Sequence, residues 1–210
     1  YAPGRLAVRA ARNDIPLVHL STDYVFSGDE RRRLHEDEPL APVNHYGQSK
    51  ARGEGLVLDS GAKALVARVQ WLFGGSQSDF VRFVRGRLLA GEEVPVVRDQ
   101  IGAPSYTMDM AKQLAVAWQA GLTGVINLGN SGEVSREEQA QRIAQDLDCA
   151  GRFRLVTWLE LGRSAARPRR SVLDTTRIRD LVAARAPQAV DALATWYDAQ
   201  RRFLKMIESE

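Results

Sequence analysis

Short apolar runs alternate with amphipathic segments along this chain, the pattern of a parallel sheet covered by helices. Leu6 to Arg12 reads as the end of a helix that Pro3 starts. Pro16-Leu17-Val18-His19-Leu20 then forms a continuous apolar run, the mark of a strand buried on both faces, and Ala64 to Val69 is a second. A helix is predicted between them, from about His45 to Leu58, with Asn44 as its N-cap and Gly61 just past its end, which completes a βαβ unit. Further helices are expected from about Phe80 to Ala90 and from Met108 to Gln119, with strands at Val94 to Arg98 and Val125 to Leu128. Ser135 and Glu138 have capping-box spacing, so a helix should begin at Arg136 and carry Ile143 and Leu147 on one face. Val190, Leu193, Ala194, Tyr197 and Leu204 recur at helical spacing and predict one closing helix within Pro187 to Ile207.

A dinucleotide-binding sheet opens with a strand, a glycine-rich turn and a helix whose N-terminus receives the pyrophosphate. Gly74-Gly75 and Gly129-Asn130-Ser131-Gly132 lack the GxGxxG spacing, and Gly4 has no strand before it. A βαβ unit of about 30 residues does not fit ahead of Pro16. The expectation is therefore α/β: the C-terminal part of a Rossmann-like doubly wound parallel sheet, plus a small α/β substrate-binding domain. Residues 1–73 are assigned to the sheet domain and 74–210 mainly to the second, with some segments returning to the sheet. The native protein is expected to be longer, because the Pro16 strand would otherwise present an open apolar edge.

Composition narrows the classes. The single cysteine, Cys149, excludes an intrachain disulfide framework or thiolate cluster and suits a reducing, cytoplasmic compartment. No run approaches the about 18 apolar residues of a membrane span. The net charge of +3 is spread along the chain. Arg31-Arg32-Arg33 and Arg167 to Arg170 are not interleaved with aromatics, which speaks against nucleic acid; an anionic small substrate explains the charge as well, and the first cluster reads as a solvated loop. His19, His35 and His45 share no metal-ligand spacing and read as structural.

Tyr46-Gly47-Gln48-Ser49-Lys50 places a phenol and an ammonium one turn apart on one helix face. A nearby cation stabilises a phenolate and makes tyrosine a usable acid. By itself the spacing also occurs on ordinary helix surfaces. Ser21-Thr22-Asp23-Tyr24 adds context, because it follows the Pro16 strand and ligands of open parallel sheets bind outside the carboxyl ends of strands. These side chains also serve as local caps.

STDYVFSG, EDEPLAPVNHYGQSKARGE, ARVQWLFG, VVRDQIGAPSYTMDMA and RPRRSVLDTTRI resemble, in order, the blocks of dTDP-4-dehydrorhamnose reductases, extended members of the short-chain dehydrogenase/reductase superfamily. The resemblance implies NADPH-dependent reduction of the C4 ketone of dTDP-4-dehydrorhamnose to dTDP-rhamnose, with NADH as the alternative cofactor. It also implies a catalytic group of Thr22, Tyr46 and Lys50: Tyr46 protonates the nascent alkoxide, Thr22 orients the carbonyl, and Lys50 holds the nicotinamide ribose. Asp23, Tyr24 and Trp71 would hold the sugar, and Ser21, Tyr46 and Lys50 would meet the cofactor. Each of those three sugar residues also has a packing reading, as a turn cap, a loop ring or a core aromatic. The partner expected is a nucleotide-diphosphate sugar, without membrane or nucleic acid, and a homodimer is compatible.

The pattern departs from the family at Ser27, in the loop from Asp29 to His35, at Val69-Gln70 and at Asp79. Two other readings remain open. One is a non-catalytic relative resembling the regulatory subunit of methionine adenosyltransferase, although Thr22 stands where that relative tends toward serine. The other is a sugar-nucleotide epimerase or dehydratase, which typically shows SSxxVYG where this chain has STDYVF.

Overall fold

A computed structural model describes residues 2–28, 32–75, 79–162 and 164–208. The chain runs through helix α1 (Ala2–Arg12), strand β1 (Leu17–Thr22), helix α2 (His45–Leu58), and strands β2 (Ala64–Val69) and β3 (Leu72–Phe73). It continues through α3 (Phe80–Leu89), β4 (Val94–Val97), β5 (Ile101–Gly102), β6 (Ser105–Tyr106), α4 (Thr107–Gln119) and β7 (Gly124–Asn127). The last elements are β8 (Val134–Ser135), α5 (Arg136–Asp146), β9 (Phe153–Val156), α6 (Thr176–Arg185) and α7 (Trp196–Ile207). No helix among the described residues is long and apolar enough to cross a membrane.

The sheet β1-β2-β7 is parallel throughout, with β2 in the middle. Successive side chains of a strand face opposite sides, and β2 uses both. Ala64 and Val66 pack on Ala7 of α1 and Val57 of α2, while Leu65 and Ala67 pack on Met110 and Val116 of α4 and Ile178 and Val182 of α6. Helices therefore cover both faces, and the doubly wound α/β arrangement expected from the sequence is present.

The apolar run at β1 behaves differently from its prediction. Leu17 and Val18 are only partly buried and Leu20 is 52% exposed. Among the described residues β1 pairs only with β2, which makes it an edge strand there. Asp29, Glu30 and Arg31, part of the loop singled out in the sequence, lie outside the described residues.

A buried ion pair fixes α2 to the sheet. The Arg68 guanidinium of β2 donates to both Glu54 oxygens, the shortest contact being 2.8 Å, and also to the Glu36 carbonyl at 2.9 Å. Removing one partner of such a pair costs about 3–5 kcal/mol, because the other charge is stranded.

A second core joins α3, α5 and α7 to the two-stranded parallel sheet β4-β9. Phe203 is fully buried there, 5.6 Å from the Phe73 ring and 5.7 Å from that of Tyr106. Burying a ring of this size stabilises by roughly 1.5–3 kcal/mol. Ser135 caps α5 as predicted, accepting from the Glu138 amide at 3.0 Å.

The single closing helix is in fact two pieces, a 3-10 segment over Pro187–Leu193 and then α7. Thr195 separates them, its hydroxyl accepting from the Asp198 amide at 3.1 Å as a new N-cap. α6, β9 and the two-residue strands β3, β5, β6 and β8 add to the elements that the sequence pattern predicts.

Candidate active site

β1 ends where its backbone turns away from the sheet. Thr22 closes the strand and caps the short 3-10 turn Asp23–Val25, its hydroxyl accepting from the Tyr24 amide at 3.3 Å. The first turn of α2 lies directly against that turn. A Cβ on Gly47 would sit 2.1 Å from the Tyr24 carbonyl oxygen, so only glycine permits the approach. Asn44 starts the helix by accepting from the Gly47 amide at 2.8 Å, and its own amide donates to the Ala166 carbonyl at 2.8 Å. The Tyr46 ring is thereby held edge-on to Tyr24, with centroids 5.8 Å apart.

These elements enclose a cavity of about 860 Å³, within the usual range for small-ligand sites. Ser21, Thr22, Asp23, Tyr24, Tyr46 and Trp71 all line it. Six residues picked from sequence thus share one space at the carboxyl end of β1. Lys50 is placed otherwise. Its ammonium donates to the Leu20 carbonyl at 3.0 Å, beside the cavity and not in its wall.

Trp71 has a left-handed backbone, φ 40°, a conformation a bulky residue adopts only where its surroundings enforce it. Its ring takes the space left by Gly102, where a Cβ would come within 2.4 Å of the indole. The Arg136 guanidinium lies 3.5 Å over that ring and 4.4 Å over the Phe80 ring. A cation in the first turn of a helix opposes the macrodipole, so Arg136 at the start of α5 is not there to stabilise its helix. Burial lowers its pKa to about 9, with Tyr24 and Asp23 pulling the other way.

Asp23, also in the cavity wall, is buried, 2% exposed. Thr22 donates to its Oδ1 at 2.9 Å and Ser171 to its Oδ2 at 2.5 Å. Burial raises its pKa to about 6 despite those two donors. Tyr24 is also raised by burial, opposed by Arg167, which donates to the phenol oxygen at 2.8 Å and lies 3.7 Å over the Trp158 ring.

Arg136 and Arg167 line the cavity and were not singled out as site residues in the sequence, nor was Ser171. Arg136 read there only as the start of a helix. Arg167 and Ser171 lie within the RPRRS block, but nothing in that block shows which side chain turns inward. The wall therefore combines the hydroxyls of Ser21 and Thr22, the phenols of Tyr24 and Tyr46 and the Trp71 ring with the guanidinium groups of Arg136 and Arg167. Such a set can polarise a carbonyl oxygen, protonate it and hold an anion.

The family model for the RmlD substrate binding domain matches residues 1–202. The chain belongs to this family. Among its relatives, the dTDP-4-dehydrorhamnose reductase of Mycobacterium tuberculosis is 39% identical over 181 residues, covering 82% of this chain. The dTDP-4-keto-6-deoxy-D-glucose reductase of Streptomyces niveus is 36% identical over 170 residues, covering 80%. This RmlD-family chain spans 59% of the length of each of those two proteins. A crystal structure of dTDP-4-dehydrorhamnose reductase from Bacillus anthracis in complex with NADP superposes with a TM-score of 0.87 at 30% identity, covering 97% of this chain and 70% of that one.

Proposed function

We propose that this cavity serves the reduction of the C4 ketone of a dTDP-linked 6-deoxy sugar, dTDP-4-dehydrorhamnose, to the alcohol dTDP-rhamnose, with NADPH as reductant. The observation that carries the reading is that Thr22 and Tyr46, from a strand end and a helix, line one cavity of ligand size. The solved relative from Bacillus anthracis, described in complex with NADP, supports the choice of cofactor.

The residues present suit the nicotinamide end of that cofactor. Among the described residues Ser21 Oγ is buried with no hydrogen-bond partner at the cavity wall, and a polar group of a ligand would satisfy it. The Lys50 ammonium has three protons, of which the Leu20 carbonyl takes one, leaving donors for ribose hydroxyls. NADPH, when bound, supplies the hydride that reduces the carbonyl carbon.

The chain's own groups act on the sugar oxygen. Thr22 orients the C4 oxygen, and Tyr46 gives it a proton as charge develops there. Acid catalysis of this kind is worth roughly 100- to 10,000-fold. Tyr24 and Trp71 form ring walls against which an apolar sugar face can pack, and Arg136 and Arg167 supply cations for the diphosphate. Residues 1–73 are read as the cofactor side of the protein and most of 74–210 as the sugar side. The half-buried thiol of the single cysteine, Cys149, agrees with a cytoplasmic setting.

The test is an assay of the full-length native protein with dTDP- and UDP-linked 4-keto-6-deoxy sugars, each with NADPH and with NADH. Cofactor oxidation with the dTDP sugar, fastest with NADPH, is expected. Absence of turnover with every combination would falsify the reading.

A further inference from the structure

Two hydroxyls converge on one buried carboxyl, and the count of protons among the three groups is uneven. Thr22 donates to Asp23 Oδ1 at 2.9 Å, Ser171 donates to Oδ2 at 2.5 Å, and the Tyr24 amide donates to the Thr22 oxygen at 3.3 Å. A threonine hydroxyl has one proton to give and two positions at which to accept. With Asp23 ionised, the Thr22 proton is committed to the carboxylate and the Tyr24 amide fills one acceptor position. Only a lone pair remains for the cavity. With Asp23 neutral, the acid proton on Oδ1 donates to Thr22, both acceptor positions are filled, and the hydroxyl proton turns to the cavity. The bond from Ser171 is the same in both states.

We propose that Asp23 is a positioning residue whose protonation state decides whether Thr22 offers a proton to a ketone or accepts one from an alcohol. This rests on the reductase reading above. A C4 ketone has only acceptor lone pairs, so it is held through Thr22 when Asp23 is neutral. A C4 alcohol can donate, so the ionised form holds it as well. The switch takes up or releases one solvent proton at the Asp23 carboxyl and leaves every other bond of the chain unchanged, and the proton added to the sugar oxygen still comes from Tyr46.

The surroundings of Asp23 set the balance. Arg136 at the start of α5 is the charged group that favours its carboxylate, and Arg136 itself faces Tyr24, Arg167 and Asp79. Ser171, Thr22 and the backbone amide of Asp23 itself favour the carboxylate by donating to it. Burial outweighs all four and brings the pKa to about 6, so both states are populated near neutrality.

Two measurements on the full-length protein test this together. The first is kcat/KM for reduction of the dTDP-linked 4-keto sugar across a pH range centred on about 6. The second is difference infrared spectroscopy of the carboxylic-acid carbonyl band over the same range. In the wild type kcat/KM is expected to fall about tenfold per pH unit above the midpoint. In Asp23→Asn it stays level through that region, because the amide donates to Thr22 at every pH. The infrared band should titrate in the wild type, be lost in Asp23→Asn, and shift its midpoint upward in Thr22→Val and in Ser171→Ala, each of which removes a donor from the carboxylate. A wild-type kcat/KM that is level through about 6 overturns the proposal, as does a band midpoint that Thr22→Val leaves in place. No turnover of the ketone at any pH overturns the reductase reading instead, and the infrared titration then still decides the coupling of Asp23 to Thr22.

Discussion

At the scale of single residues, Asp23 carries a cost that pH should reveal. Its carboxyl titrates near 3.8 when unfolded and near 6 when folded, because burial disfavours the charge more than two hydroxyl donors restore it. The folded state therefore binds the proton more tightly between those values. The stability this gives is fully present below 3.8 and is lost as pH rises through about 6. The loss is on the order of 3 kcal/mol. Thermal melts of wild type and Asp23→Asn are expected to diverge across that window, the wild type losing ground until about 6 and no further above it. A difference between the two that stays constant with pH would contradict the account. The sequence made Asp23 and Thr22 visible as polar residues at a strand end, but not their shared partner. Ser171 lies 148 residues beyond Asp23, where no local pattern connects them.

At the scale of elements, α2 positions the site and one glycine sets its approach. A Cβ at Gly47 would meet the Tyr24 carbonyl at 2.1 Å, whereas one at Gly55 of the same helix meets nothing within 4 Å. Gly47→Ala is expected to push α2 off the turn, with a cost of about 1–3 kcal/mol. Displacement of Tyr46 by an ångström should lower kcat by about 100-fold. Gly55→Ala should instead stabilise by roughly 0.5–1 kcal/mol and leave turnover unchanged. Melting temperatures and kcat of the two variants check this pair, and equal effects at both positions would count against the close approach. This helix was legible because its cap, its motif and its end all lie within one short stretch. The break before α7 was not, since Tyr197 and Leu204 keep the helical period set by Val190 and Leu193 while Thr195 restarts the helix. Strands of two residues, such as β3 and β6, are too short to show any period.

At the scale of the whole molecule, the sheet β1-β2-β7 presents its carboxyl end to a cavity whose far wall comes from α5 and the segment before α6. The near wall was readable, since Ser21 to Tyr24 and Tyr46 to Lys50 are contiguous in sequence. The far wall was not, because tertiary packing alone brings Arg136 and Arg167 across from distant parts of the chain. Lys50 marks the limit of motif reading. Its spacing from Tyr46 is as expected, yet its ammonium is bound to the Leu20 carbonyl at the end of β1. Tyr46 is proposed as the acid for a ketone held by Thr22. Single-turnover reduction of the dTDP-linked 4-keto sugar by Tyr46→Phe, alongside NADPH affinity measured by fluorescence, tests it most directly. The account predicts a rate lower by roughly 100- to 10,000-fold with affinity nearly unchanged. A variant that reduces the sugar at close to the wild-type rate would contradict it.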